Sequence, residues 1–179
     1  RLYVGGSGPG NYSRIQDAVN ATYDGDSVFV FSGVYCENVR INTSIKLIGE
    51  NRETTILDSN QYLRNQSAII IQKDYVTVSG FTIQNRKSSS DSYKGIGIAF
   101  DDAYKIWISD NSFINDSVGI DTDYYGSNII ISKNNFVNTT YGILTEYGDK
   151  IIIINNHIRN SETGIIAGGR NIIIRNNVI

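Results

Sequence analysis

Short apolar segments recur along this chain, and polar turn residues close each of them. Five copies are visible: VTVSGFTIQN (76–85), IWISDNSFIN (106–115), IIISKNNFVN (129–138), IIIINNHIRN (151–160) and NIIIRNNVI (171–179). Alignment of the copies gives two apolar columns, Val78, Ile108, Ile131, Ile153 and Ile173, and then Ile83, Phe113, Phe136, Ile158 and Val178. A period of about 22 residues is typical of a solenoid, in which each repeat packs on the next.

The repeat is too uniformly apolar for hairpins that would have one solvated face. A second element in each repeat begins with Gly-Ile, at Gly97, Gly119, Gly142 and Gly164. About three short strands and three turns therefore make one coil, and successive coils should stack at about 4.8 Å. The sequence predicts an all-β fold, a right-handed parallel β-helix.

The first 60 residues depart from the repeat and have the pattern of a cap. Tyr12, Ile15, Ala18 and Val19 have helical spacing, and Ser13 is a candidate N-cap. A short helix is therefore expected to cover the first open rung. We expect one β-helix domain over 1–179, with the cap and first coils at 1–60. Repeat coils should fill 61–179. Because the sequence stops in mid-repeat, we expect the solenoid to be truncated at this end, as a fragment of a longer one, or its open rung to be closed by a partner.

Two further columns of the repeat are expected to have structural roles. An asparagine follows the inward Ile by three residues in each copy: Asn111, Asn134, Asn156 and Asn176. Amide side chains at such a bend can bond one another in a ladder up the stack. Large apolar residues next to the inward column should face outward: Trp107, Ile130, Ile152 and Ile172. This stripe and the open last rung favour self-association.

The composition supports β-structure and argues against two classes of function. The chain has 30 Ile and 20 Asn with one Pro and no Met, which favours strands and turns. A net charge of −2 and a pI near 5.3 leave no basic excess for nucleic acid. No apolar run reaches the ~18 residues of a membrane span. Frequent Asn-x-Ser/Thr triplets, the first at Asn11, indicate an exported protein, extracellular or at the cell surface.

One acidic residue per coil follows the Gly-Ile strand at the same outward position: Asp101, Asp123 and Glu146. Asp121 lies two residues before Asp123 and so on the same face. Members in adjacent coils should lie about 5 Å apart, and members two coils apart about 10 Å. Carboxylates at that spacing favour a carboxyl that keeps its proton, or a Ca²⁺ ion held by Asp101, Asp123 and Glu146.

Cationic and aromatic residues come next along the chain, in and around the following turn. The cations are Lys105, Lys150 and Arg170, and the tyrosines are Tyr104, Tyr124, Tyr125 and Tyr147. Aromatic faces stack on sugar rings, and charged groups bind hydroxyls and uronates. The surface is therefore a candidate polysaccharide-binding site. The alternative interpretation is that mixed charges only keep this side of the solenoid solvated.

If this surface is catalytic, two reactions are open. In glycoside hydrolysis, one of Asp101, Asp121, Asp123 and Glu146 would be the acid and another the nucleophile or base. In β-elimination on a uronate, these carboxylates would hold Ca²⁺ while Lys105, Lys150 or Arg170 removed the α-proton. The Gly-His-Gly motif of polygalacturonases is not reproduced, and His157 is expected to be a solvated structural residue.

The N-terminal part carries a run of motifs that resembles the opening of NosD-type proteins. The motifs are Tyr12-x-x-Ile15-x-x-Ala18-Val19, Gly25-Asp26-x-Val28-x-Val30, Gly33-x-Tyr35-x-Glu37-Asn38-Val39, Ile45-x-Leu47-x-Gly49 and Thr55-Ile56-Leu57-Asp58. The resemblance extends to carbohydrate-binding and sugar-hydrolase β-helix domains, including archaeal cell-surface proteins. It implies a pectate-lyase-like solenoid outside the cytoplasm, associated with polysaccharides. Glu37, part of this pattern, is expected to close a turn near the cap.

NosD proteins are also tied to copper supply, and this sequence departs from what copper requires. It has no Met, one Cys and one His, so soft-ligand coordination is not favoured. Three functions stay open: an extracellular polysaccharide-binding module, a polysaccharide lyase or glycoside hydrolase, and an envelope scaffold without a ligand. No cofactor is required, and Ca²⁺ is the ion that the acidic column would take. A groove over Asp101, Asp123 and Glu146 would favour a ligand.

Overall fold

The computed structural model of the protein describes residues 1–60, 67–85, 95–122 and 126–179. The N-terminal elements are β1 (Leu2–Val4), α1 (Ile15–Asn20), β2 (Ser27–Val30), β3 (Gly33–Tyr35), β4 (Val39–Ile41), β5 (Lys46–Gly49) and β6 (Thr55–Asp58). The middle elements are β7 (Ile69–Ile71), β8 (Thr77–Ser79), β9 (Thr82–Gln84), β10 (Ile96–Phe100), β11 (Tyr104–Ser109) and β12 (Ser112–Ile114). The last are β13 (Val118–Asp121), β14 (Ser127–Ser132), β15 (Asn135–Val137), β16 (Tyr141–Ile154), β17 (His157–Arg159), β18 (Thr163–Arg170) and β19 (Ile173–Arg175). Within these ranges no helix is long and apolar enough to cross a membrane.

The strands stack in parallel, each on the equivalent strand of the next coil, in a right-handed parallel β-helix of about seven turns. The first face carries β4, β7, β10, β13, the start of β16, and β18. The second face carries β1, β2, β5, β8, β11, β14, the end of β16, and β19. The third face carries β3, β6, β9, β12, β15 and β17. Coils I to VII begin with β2, β4, β7, β10, β13, β16 and β18, and the predicted fold is confirmed.

The core is a set of apolar columns that run the length of the solenoid. On the second face Leu47, Val78, Ile108, Ile131 and Ile153 are in register and fully buried. Each such side chain contributes about 1.5–3 kcal/mol through burial. Every coil therefore shares its core with both neighbours, as in other solenoids.

The Gly-Ile motif has a steric reason on the first face. A Cβ on Gly119 would lie 2.5 Å from the ring of Phe136 and 2.6 Å from the carbonyl oxygen of Gly142. The rings of Phe113 and Phe136 stack with centroids 4.8 Å apart and fill the space that these glycines leave. The repeated glycine thus makes room for the large residue of the third face.

The predicted asparagine ladder is present at the second corner, where the second face turns into the third. The Nδ2 of Asn111 donates to Oδ1 of Asn134 at 3.2 Å, and the Nδ2 of Asn134 donates to Oδ1 of Asn156 at 3.1 Å. The Nδ2 of Asn156 then donates to Oδ1 of Asn177 at 3.0 Å. The last member is therefore Asn177 and not Asn176.

This shift by one residue applies to the whole last coil. Ile153 pairs with Ile174, and Ile152 pairs with Ile173, so the predicted alignment of Ile173 with Ile153 is wrong. The outward stripe accordingly ends in Ile173, whereas Ile172 packs against the core. The cause is a register shift between Thr145 and Gly148 of β16, where the next coil has one residue fewer.

The N-terminal helix packs on β1, β2 and β4 through buried Ile15, Ala18 and Val19, as the spacing predicts. Its N-cap residue is Arg14, without a side-chain cap, so the expectation for Ser13 is wrong. The carboxylate of Glu37 instead accepts from the backbone N–H groups of Ile15 (2.8 Å) and Gln16 (3.0 Å). A buried carboxylate from the next coil therefore provides the hydrogen-bond acceptor for two backbone N–H groups in the first turn of the helix.

Candidate functional site

The predicted site residues gather at the first corner, where the first face turns into the second. Backbone pairing brings Tyr104, Ser127, Asp149 and Arg170 into one column across coils IV to VII. Neighbouring members of a column are about 4.8 Å apart, because that is the distance between paired strands. Asp123, Tyr124 and Tyr125 belong to the same prediction and lie outside the described residues.

The acidic residues stand where the first face ends. Asp121 is half-buried at the end of β13 and pairs with Ala99 and Leu144. Asp101 follows Ala99 by two residues and Glu146 follows Leu144 by two. Because coils IV and VI are two steps apart, Asp101 and Glu146 are separated by about 10 Å along the stack. The Ca²⁺ site expected at Asp101, Asp123 and Glu146 stays a prediction, because Asp123 lies outside the described residues.

In coils III and IV the corner carries tyrosine, lysine and aspartate side chains, and Asp74 accepts from the backbone N–H of Tyr104 at 3.0 Å. The Nε2 of Gln72 donates to Oδ2 of Asp101 at 2.7 Å. The ammonium group of Lys105 lies 4.4 Å from the ring centroid of Tyr75 and donates to its hydroxyl. The hydroxyl of Tyr104 donates to Asp102 at 3.0 Å. These contacts hold the aromatic rings and the cation in fixed positions at the solvent boundary.

In coils VI and VII the corner forms an open cleft of about 500 Å³. Tyr147, Asp149 and Arg170 line it, together with Gly148 and Gly169. The register shift in β16 places Glu146 and Tyr147 opposite Gly168 alone. Such a bulge turns a side chain away from the regular strand pattern, and Tyr147 is 63% exposed.

The cations do not share one column as predicted. Lys105 and Lys150 are equivalent, since each directly precedes a paired Ile, but Arg170 pairs with Asp149, one position earlier. The reason is again the shorter turn in coil VII. Both lysines have a left-handed backbone, with φ of 57° for Lys105 and 55° for Lys150.

Sequence reasoning missed Tyr75 and Asp149 as members of this corner. Tyr75 directly precedes the copy that begins at Val76, and Lys105 directly precedes the copy that begins at Ile106. Extension of the alignment by one residue would have found it. Asp149 lies next to Lys150 in the sequence, and the Nδ2 of Asn171 donates to its Oδ1 at 2.8 Å.

The residues present do not fit a copper centre. Cys36 follows β3 in coil I, whereas His157 begins β17 in coil VI, so the two soft or borderline donors lie several coils apart. The described ranges contain no group of three or more His, Cys, Asp or Glu side chains placed to hold a metal ion. Copper sites draw on Cys, Met and His, and this chain offers no cluster of them.

Comparison with known proteins agrees with the architecture. A pectin methylesterase variant in complex with a hexasaccharide has a TM-score of 0.52 at 18% identity, over 88% of this chain and 65% of its own. The pectin methylesterase PemA from Erwinia chrysanthemi has a TM-score of 0.51 at 18% identity, over 98% of this chain and 66% of its own. Among curated proteins no significant match is found. Residues 19–179 match the family model described as periplasmic copper-binding protein (NosD), and the chain therefore belongs to the NosD family.

Proposed function

We propose that the protein is an extracytoplasmic polysaccharide-binding module whose ligand lies along the first corner. The observation that carries this proposal is the bulge that exposes Tyr147 beside Arg170 in an open cleft. Exposed aromatic rings with neighbouring charged groups match the two surfaces of a sugar, its C–H face and its hydroxyls. The fold is also one on which a pectin methylesterase holds a hexasaccharide.

The backbone at the two corner lysines supports a role for them in binding. Asn128 and Asn171 are the equivalents of Lys105 and Lys150 in coils V and VII, and all four have positive φ. Asparagine tolerates this conformation, whereas a lysine there is disfavoured by about 1 kcal/mol. Coil III has Tyr75 at the same position, with a φ of 62°. Residues that do not favour this conformation, at a position where other coils have a tolerant asparagine, indicate a functional constraint.

Affinity electrophoresis in gels that contain neutral or acidic polysaccharides tests the proposal. We expect at least one polysaccharide to retard the wild-type protein, and Tyr147→Ala and Tyr75→Ala to reduce the retardation. Loss of one stacked ring should weaken binding about tenfold. Tyr23→Ala is the matched control, because Tyr23 is 81% exposed and precedes β2 at the N-terminal end.

Lys150→Asn separates binding from folding. The variant adopts the residue of the neighbouring coils, so its free energy of unfolding should rise by up to about 1 kcal/mol while retardation decreases. Equal retardation of the wild type, the Tyr147→Ala variant and the Tyr23→Ala variant would exclude this corner. No retardation by any polysaccharide would exclude the function.

Hydrolysis or elimination by the acidic column, with or without Ca²⁺, stays a prediction. Incubation with acidic and neutral polysaccharides should release reducing ends or unsaturated products if the column is catalytic. Asp101→Asn and Asp121→Asn should then abolish the release, and Asp17→Asn in helix α1 is the control carboxylate. Binding without product release would assign the corner to recognition alone.

A further inference from the structure

A second groove lies at the second corner, away from the surface proposed above. It has a volume of about 390 Å³, and three cationic side chains line it together with the imidazole of His157: Arg52, Lys133 and Arg159. The amides of Asn134, Asn135 and Asn155 and the carboxylate of Asp110, which pairs with Arg52, complete the lining, and Asn134 belongs to the asparagine ladder. The groove therefore combines positive charge, amide groups and a rigid wall.

Arg52 forms a fixed side of this groove. Its Nη1 donates to Oδ1 of Asp110 at 3.2 Å and to the carbonyl oxygen of Lys133 at 3.3 Å. Its own carbonyl oxygen accepts from the hydroxyl of Thr82 at 2.6 Å. The side chain thus reaches from coil II to coil V, and Arg52 is held both at its backbone and at its guanidinium group. A preformed wall loses little conformational entropy of its own when a ligand binds.

The remaining cations of the groove have no anionic partner among the described residues. Within those ranges no carboxylate oxygen lies within 4.0 Å of a side-chain nitrogen of Lys133, His157 or Arg159. Lys133 directly follows β14 in coil V, and the other two lie on β17 in coil VI. The charges of Lys133 and Arg159 therefore lie in adjacent coils, which are about 4.8 Å apart along the stack, and Lys133 has a φ of 57°.

The groove continues past the Arg52–Asp110 pair into a second depression of about 420 Å³. Glu50 and Glu53 line this part, and hydrogen bonds from Ser32 lower the pKa of Glu50. The site is thus cationic at one end and anionic at the other. A uniform polyanion such as a nucleic acid would meet repulsion at the anionic end, whereas a short acidic oligosaccharide fits the cationic end alone.

We propose that this second groove binds an acidic saccharide, with carboxylate or sulfate groups on Lys133, His157 and Arg159. The amides of Asn135 and Asn155 would bond its hydroxyls. This site does not rest on the function proposed for the first corner, because it shares no residue with it. A chain with both sites would contact one acidic polysaccharide on two sides or link two chains.

Titration of the protein with trigalacturonate, followed by calorimetry, tests the inference. Lys133→Asn, His157→Asn and Arg159→Gln each introduce a residue found at the same register in another coil, namely Asn155, Asn135 and Gln84. These variants should fold as the wild type does. We expect Lys133→Asn combined with Arg159→Gln to weaken binding about tenfold or more. Lys46→Thr, which removes one positive charge from β5 and matches Thr77, should leave it unchanged.

Competition by a sulfated ligand shows which anionic groups the site accepts. A sulfated disaccharide that competes with trigalacturonate extends the site to sulfate, and one that does not restricts it to carboxylate. Equal binding by maltotriose or by a short oligonucleotide would overturn the inference. A further outcome would also overturn the inference: Tyr147→Ala abolishes trigalacturonate binding, whereas the Lys133 and Arg159 substitutions have no effect. In that case the function proposed for the first corner would stand.

Discussion

Asn134 bonds both neighbouring coils, so its replacement by alanine should weaken the solenoid strongly. Its Oδ1 accepts from the backbone N–H of Asn111 at 3.0 Å, and its Nδ2 donates to the carbonyl oxygen of Ile108 at 2.9 Å. A second bond from Nδ2 reaches Oδ1 of Asn156 at 3.1 Å. The side chain is 1% exposed, and water cannot replace these partners without opening the corner.

The magnitude follows from the groups that would lose their partners. Asn134→Ala leaves the N–H of Asn111 without its acceptor and removes a donor from the carbonyl of Ile108. A buried polar group without a partner costs about 1–3 kcal/mol, so the free energy of unfolding should fall by about 2–5 kcal/mol. A local loss of this size also weakens the interfaces of coil V with coils IV and VI, because a solenoid is stabilised by contacts between neighbouring repeats.

Urea unfolding followed by circular dichroism measures this loss, and Asn135→Ala is the matched control. Asn135 is the next residue, is half-buried on the outer side of β15 and makes one 3.4 Å bond to the hydroxyl of Ser112. Its replacement should change the free energy of unfolding by about 0.5 kcal/mol or less. Equal losses for the two variants would show that the ladder does not stabilise the stack.

Three further predictions concern a glycine and two buried carboxyl groups. Gly119→Ala should cost at least about 2 kcal/mol in urea unfolding, because its Cβ would overlap Phe136 and a backbone oxygen. Glu37→Ala should cost about 1.5–3 kcal/mol and speed hydrogen exchange in helix α1, whereas unchanged exchange at Ile15 would contradict the cap. Burial raises the pKa of Asp116 well above its usual value, so wild-type stability should fall as the pH rises above about 4 and level off past the folded pKa. The Asp116→Asn variant should lack this dependence, and parallel pH profiles of the two proteins would exclude it.

The repeat alone was sufficient to predict the fold, because the inward columns and the turn asparagines carry independent information. Apolar residues at positions such as Ile108 and Ile131 define the coil length. The asparagines at Asn111 and Asn134 then mark where each coil must bend. Two periodic signals with the same phase leave no antiparallel arrangement that satisfies both.

The register of the last coil could not be predicted for a physical reason. The run Ile172 to Ile174 and the pair Asn176 and Asn177 are each made of identical residues. A shift by one residue therefore leaves the pattern unchanged. The register of the last coil is set by the bulge in coil VI. Because Glu146 and Tyr147 lie opposite Gly168 alone, coil VII has one residue fewer at this turn. The sequence carries no signal for this bulge.

Two further features were not predicted from the sequence, because each depends on a side chain that contacts another part of the stack. Glu37 caps a helix 22 residues before it, and Arg52 reaches the carbonyl of Lys133, 81 residues further along the chain. Neither pairing follows from the period, since each side chain leaves its own coil. His157 is exposed on β17, as expected for a solvated residue, and it lines a groove with Arg52, Lys133 and Arg159.

Both candidate sites use the same property of the solenoid, which is that its corners can change without loss of the core. Left-handed positions at the corners carry asparagine in some coils and other residues elsewhere: Tyr75, Lys105 and Lys150 at the first corner, and Asp110 and Lys133 at the second. Asparagine would satisfy the backbone at each position, so stability alone does not account for the lysines. Exchange of each lysine for asparagine therefore tests function directly, because the variant should be at least as stable as the wild type. If binding is unchanged in all three variants, the strain at these corners has no role in recognition.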